Sequence, residues 1–71
     1  MTNPTPRESR VELARSLVAG ARRVVESQKQ IIETKKANGQ DTKESEDVLG
    51  TFERCLVTFE AELAAILAET G

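Results

Sequence analysis

Residues 49–66 read LGTFERCLVTFEAELAAI, with apolar side chains recurring at alternating intervals of three and four. This spacing keeps one face of an α-helix apolar, and three successive heptads with apolar a and d positions are typical of a coiled-coil seam. The stretch therefore predicts a long helix that packs along its length against another helix. The predicted seam positions are Leu49, Phe52, Leu56, Phe59, Leu63 and Ile66.

A second helix is predicted upstream, and the signals at both of its ends are clear. Residues 5–8 (TPRE) combine a capping box with proline at the first helical position. Residues 38–39 (NG) are typical of a helix stop, and residues 41–44 (DTKE) of a new start. Because a short link forces neighbouring helices to run in opposite directions, we predict an all-α antiparallel hairpin with helices at about 6–38 and 42–69. The chain is then one domain, residues 6–71, after a polar tail at residues 1–5.

The seam of the first helix is assigned to Leu17, Val24 and Ile31, with smaller or polar residues between them. If the hairpin folds about residue 40, facing residues have numbers that sum to about 80, so large residues on one helix meet small ones on the other. The intervening residues are Ala14, Ala21 and Gln28, and Gln28 is a candidate for fixing the register of the seam.

Apolar residues also lie beside the predicted seam, where a lone hairpin would expose them to water. An exposed apolar strip usually marks a partner surface, and a chain of 71 residues buries little area by itself. The strip predicts a homodimer in which two hairpins form a four-helix bundle. The predicted dimer interface comprises Val11, Val18, Val25, Ile32, Val48, Cys55 and Leu67.

The two helices carry opposite net charge. Residues 6–38 hold eight basic and four acidic residues, a net +4, and residues 39–71 hold two basic and eight acidic residues, a net −6. The basic edge of the first helix suggests nucleic-acid contact through Arg15, Arg22, Arg23 and Lys29. However, Glu12, Glu26 and Glu33 precede basic residues by three, so we favour a solvated face neutralised within the helix.

Composition argues against catalysis and cofactor chemistry. The chain has no His and one Cys, so the usual general base, cysteine-based zinc sites and an internal disulfide are all missing. We predict no enzyme activity and no catalytic, cofactor-binding or metal-binding residues. Cys55 is interpreted as a small, partly buried apolar residue. Without an apolar segment of membrane length or a visible signal sequence, a cytoplasmic location is expected and no membrane contact.

One segment resembles a recurrent pattern in short uncharacterised bacterial proteins. It comprises the turn at residues 39–42 (GQDT), then Ser45, Val48-Leu49, Phe52-Glu53 and Leu56. In the preceding helix, Arg22, Gln28 and Ile31-Ile32 are similar to the same pattern, whose members often have His in place of Gln40. The resemblance covers roughly residues 22–59 and implies a cytoplasmic helical hairpin without a known activity. In topology, the predicted dimer is similar to the Rop family of small RNA-binding hairpins.

The expected function is a non-enzymatic protein–protein interaction or assembly module that self-associates as a coiled-coil hairpin. A homodimer is the expected assembly, with an unidentified protein partner left open. Two alternatives are a small nucleic-acid-binding regulator of the Rop kind and a helical subunit of a larger complex.

Overall fold

The computed structural model describes residues 5–69 and consists of two helices joined by a short loop. Helix α1 spans Pro6–Ala37 and helix α2 spans Lys43–Ala68. Ion pairs join Arg10 to Glu69 and Lys36 to Glu46, so the start of α1 lies beside the end of α2. The predicted all-α antiparallel hairpin is therefore confirmed, with helix ends within a residue of those expected. Residues 1–4 of the predicted tail lie outside the described residues.

The N-terminus of α1 is fixed by the predicted capping box. The Glu8 amide donates to Thr5 Oγ1 at 3.1 Å, and the Thr5 amide donates to Glu8 Oε2 at 3.2 Å. Pro6 occupies the first helical position, where a missing amide hydrogen leaves no bond unmade. Two of the otherwise unpaired amides at the start of α1 are thus satisfied by a reciprocal pair.

The end of α1 is a Schellman motif centred on Gly39. The Gln40 amide donates to the Lys35 carbonyl at 2.8 Å, and the Gly39 amide donates to the Lys36 carbonyl at 3.1 Å. Gly39 has φ +70°, a left-handed conformation in which a side chain would be strained. The chain therefore leaves α1 sharply and returns within five residues.

The start of α2 differs from the predicted capping box at residues 41–44. Thr42 is the N-cap and makes no side-chain capping bond. Asp41 Oδ1 accepts instead from the amide of Lys43 at 3.0 Å, two residues along. The carboxylate of Asp41 still satisfies an exposed amide, but Asp41 is the residue before the N-cap and not the N-cap itself.

The seam side of α2 lies where the 3-4 pattern predicts it. Each of its predicted seam residues, from Leu49 to Ile66, is partly covered, and Ser45 extends the same row as a buried residue. None of these apolar side chains is fully covered, because a single neighbouring helix shelters only one flank of each. The core of the lone hairpin is consequently thin.

The seam side of α1 is not the predicted one. Val18, Val25 and Ile32 are only 4–6% exposed, whereas Leu17, Val24 and Ile31 are 39–45% exposed. The assignment of Leu17, Val24 and Ile31 to the seam is therefore wrong. The adjacent residues pack against α2, together with Ala14, which is also buried.

Because α1 turns Val18, Val25 and Ile32 toward α2, most of the predicted dimer interface lies inside the hairpin. Val11 is partly covered, and Val18, Val25 and Ile32 are buried, within a single hairpin. They are not available to a second copy unless the hairpin opens. Val48 and Leu67 remain on the surface at 37% and 40% exposure. Cys55 is exposed as well, rather than partly buried as expected.

Polar contacts cross the seam near the loop. Gln28 Nε2 donates to the Ser45 carbonyl at 3.1 Å, and Lys35 Nζ donates to Ser45 Oγ at 2.7 Å. Both bonds are partly buried, so both are shielded from competition with water. Gln28 thus binds α2 directly, as a polar residue that fixes register would, and its partner is the backbone rather than another side chain.

Candidate interaction surface

One side of the hairpin is lined by charges that pair across the two helices. Arg22 Nη2 lies 3.0 Å from Glu60 Oε2, and Lys36 Nζ lies 3.7 Å from Glu46 Oε1. Arg15 and Lys29 share this edge of α1, because they differ from Arg22 by seven residues. We call this the charged side.

The basic residues on the charged side are paired differently from the prediction. That expectation paired each cation with a glutamate three residues earlier on α1. Among residues 5–69, the ion pairs that form join α1 to α2 instead. The acidic edge of α2 therefore faces the basic edge of α1 and offsets its charge.

This arrangement weakens the case for nucleic-acid contact. Of the four candidate residues, Arg22 is already paired with a carboxylate. Arg15 and Lys29 lie on the same edge, while Arg23 is exposed on the outer surface of α1. Phosphate binding depends on unneutralised Lys and Arg grouped on one surface. The structure does not bring the four side chains together as such a group.

The opposite side of the hairpin carries a row of exposed apolar residues, which we call the apolar face. It consists of Leu13, Leu17, Val24 and Ile31 from α1 and Val48 and Cys55 from α2. The exposure of these aliphatic side chains ranges from 37% to 62%. Exposed large aliphatic residues are ordinary when scattered, but a continuous row is a mark of an interaction surface.

The Arg10–Glu69 pair shows that the two halves of the apolar face lie on the same side. Its Nη2 and Oε2 atoms are 2.7 Å apart. Arg10 precedes Leu17 by one heptad, and Glu69 follows Cys55 by two, with Glu62 between them in the same row. Residues one or two heptads apart lie near the same edge of an α-helix, so the exposed edge of α1 and the edge of α2 that holds Cys55 and Val48 are adjacent.

The apolar face on α1 is a second heptad row with no charge along its length. From Leu13 to Thr34 the residues recur at intervals of four and three, and those between the aliphatic side chains are small or polar. A Cβ added at Gly20 would meet nothing within 4 Å, so the hairpin itself does not require glycine there. The complete row is Leu13, Leu17, Gly20, Val24, Ser27, Ile31 and Thr34.

Two further exposed apolar residues lie away from this surface. Leu67 shares a groove with Arg15 and Leu63 on the charged side. Val57 is 64% exposed, on the outer surface of α2 near Gly50 and Arg54. Of the predicted dimer-interface residues, only Val48 and Cys55 thus belong to the apolar face. The residues that complete it, Leu13, Leu17, Val24 and Ile31, are not among the surface residues that the sequence predicts.

The chain exposes more surface than a compact protein of its mass. Its accessible area is 5409 Å² at 7.8 kDa. The area expected for a compact monomer of this mass is about 4,400 Å². The excess of about 1,000 Å² reflects an elongated form, with principal extents of 54 × 25 × 12 Å. Only one layer of helix packing covers the apolar side chains.

Within residues 5–69, no cluster of three or more His, Cys, Asp or Glu side chains is placed to hold a metal ion. Neither helix combines the length and apolar character required to cross a membrane. Comparison of the chain with protein-family models, with curated proteins and with solved structures finds no match.

Proposed function

We propose that this protein is a non-enzymatic assembly module whose hairpins associate with one another through the apolar face. The observation that carries the proposal is the uncharged row on α1, from Leu13 to Thr34, which continues onto Val48 and Cys55 of α2. Covering apolar area stabilises association by about 25 cal/mol per Å² before the entropic cost of binding is subtracted.

The dimensions of the apolar face support a stable interface. From Leu13 to Thr34 the row rises about 32 Å, and two adjacent helices are about 20 Å wide. The face therefore offers roughly 600–700 Å² to a partner, close to the ~800 Å² per partner of standard protein–protein interfaces. A second hairpin would also supply the second helix layer that the lone hairpin lacks.

Sedimentation equilibrium of Val24→Glu against Val57→Glu tests this proposal. Both substitutions place a carboxylate at an exposed valine, but only Val24 lies on the apolar face. We expect the wild type and Val57→Glu to have twice the 7.8 kDa monomer mass. Val24→Glu should raise the dimer dissociation constant more than about tenfold, because an unpaired charge would have to be buried.

Circular dichroism on the same samples separates loss of association from loss of folding. Val24→Glu should keep its helical signal, since Val24 is exposed in the hairpin. A wild-type protein that stays monomeric at 100 µM contradicts self-association and favours the role of a subunit in a larger complex. An unchanged dimer mass for Val24→Glu contradicts the assignment of the surface.

A further inference from the structure

We infer that the occupant of the apolar face is a second copy docked with both loops at the same end of the bundle. In this arrangement α1 of each copy packs against α2 of the other. The inference rests on the proposed self-association and adds its orientation. The charges at the ends of the apolar face and the sizes of the residues along it carry the argument.

Two-fold symmetry allows two ways of stacking one hairpin face on another. With the axis along the helices, the loops lie together, and α1 of one copy lies on α2 of the other. With the axis across the helices, the loops lie at opposite ends, α1 lies on α1 and α2 lies on α2. All neighbouring helices are antiparallel in both, so helix dipoles do not distinguish the two arrangements.

Charges at the ends of the apolar face do distinguish them. On α1 the face is bounded by Arg10 at one end and by a basic last turn at the other. On α2 it is bounded by an acidic first turn and, at the other end, by Glu62 and Glu69. The ends of α1 are thus both positive, and the ends of α2 are both negative. The end residues are Arg10, Lys35, Glu44 and Glu69, whereas Lys36 and Glu46 pair with each other on the charged side.

With the loops together, Arg10 comes beside Glu69 of the second copy, and the basic turn of α1 comes beside the acidic turn of the other α2. The exposed Arg10–Glu69 pair becomes half of a ring of four alternating charges. With the loops apart, Arg10 comes beside Lys35 of the second copy, and Glu69 comes beside Glu44. Each exposed contact is individually weak, but all the end contacts are attractive with the loops together and repulsive with the loops apart.

The net charges of the helices also favour the arrangement with the loops together. The first half of the chain, with α1, is +4 and the second half, with α2, is −6. With the loops together, each positive helix has two negative neighbours, and helices of like charge lie on the diagonals. With the loops apart, α1 touches α1 and α2 touches α2, which like-charge repulsion disfavours.

Residue sizes along the face also fit the arrangement with loops together. The α1 row presents Leu17, Val24 and Ile31. The matching α2 row presents Thr51 and Thr58 beside Val48 and Cys55, and Glu62 follows them. Since both copies then lie at the same height, facing residue numbers again sum to about 80, so Val24 and Ile31 fall over these small or medium-sized residues, while Leu17 falls beside Glu62.

A distance between loop labels tests the orientation. We would replace Gln40 by cysteine in a Cys55→Ala background, attach a nitroxide and measure the label-to-label distance by pulsed electron paramagnetic resonance. Gln40 lies in the loop and is exposed. With the loops together, the expected distance is below about 25 Å. With the loops apart it approaches about 48 Å, the length of the 32-residue α1.

A matched label at Val57→Cys, near the middle of α2 and outside the apolar face, reports dimerisation in either orientation. A long loop distance with coupling at Val57 would overturn the inferred orientation and leave the proposed self-association standing. Absence of coupling at both positions would overturn both. The Cys55→Ala background must first show the wild-type mass, since Cys55 itself lies on the apolar face.

Discussion

Val24 and Val25 are neighbours in the chain, yet one is 43% exposed and the other 6% exposed. Both are β-branched and both continue an apolar heptad row. Their different surroundings arise only from the rotation of α1 about its axis, which turns Val25 toward α2. Substitutions at this pair therefore report the seam and the outer surface separately.

Val25→Ala should lower the free energy of unfolding by about 2 kcal/mol, since two buried methyl groups are lost and their space is only partly refilled. Val57→Ala is the matched control, with the same chemical change at a 64% exposed position, and should change the free energy by less than about 0.5 kcal/mol. Urea unfolding measures both. Equal midpoints for the two variants would contradict the burial of Val25.

Gly39 and Gly50 should respond to alanine in opposite directions. Gly39 has φ +70°, so Gly39→Ala should destabilise by about 1–2 kcal/mol through backbone strain. Gly50 lies inside α2 with open space around an added Cβ, so Gly50→Ala should stabilise by up to about 1 kcal/mol. Thermal melts measure both, and a shift of the same sign for the two variants would count against the Schellman turn.

Each helix begins and ends largely as the sequence predicts, because those signals are local. The capping box at Thr5 and the stop at Gly39 act within a few residues, so no knowledge of tertiary packing was required. The seam of α2 was equally readable, since its outer positions are mostly polar. In these respects the fold follows from the sequence alone.

The seam of α1 was ambiguous for a physical reason. Apolar residues occur in adjacent pairs, such as 17–18, 24–25 and 31–32, and either member completes a heptad row with Ala14 and Ala21. The signal that distinguishes them is electrostatic. Only burial of Val18 and Val25 sets the basic row containing Arg22 opposite Glu60 on α2. The exposed apolar strip of α1 was predicted at the wrong residues for the same reason, because Leu17, Val24 and Ile31 are the members of these pairs that the prediction assigned to the seam.

Thr5→Ala should destabilise α1 by about 1 kcal/mol, because the Glu8 amide loses its hydrogen-bond acceptor and the capping box is broken. Amide hydrogen exchange should accelerate in the first turn and remain unchanged near Gln28. Thr58→Ala is a control in the interior of α2, where the hydroxyl donates to the Arg54 carbonyl and caps nothing. Equal acceleration throughout α1 would contradict a local capping role.

At the scale of the whole molecule, the missing second layer couples folding to association. A partner that binds only the folded hairpin raises its melting temperature as concentration increases. We therefore expect the wild-type melting temperature to rise between 5 µM and 500 µM, and that of Val24→Glu to rise much less. Differential scanning calorimetry measures the effect, and a concentration-independent wild type would contradict coupled assembly.

The buried hydrophobic residues among residues 5–69 all belong to α1, at Ala14, Val18, Val25 and Ile32, while the seam side chains of α2 are only partly covered. As a result, α1 should tolerate fewer substitutions at its seam positions than α2 does. In a saturation library selected for folding alone, α1 would retain a narrow set of amino acids at these four sites. Helix α2 would tolerate many different amino acids at its seam positions, so its sequence would diverge more freely than that of α1.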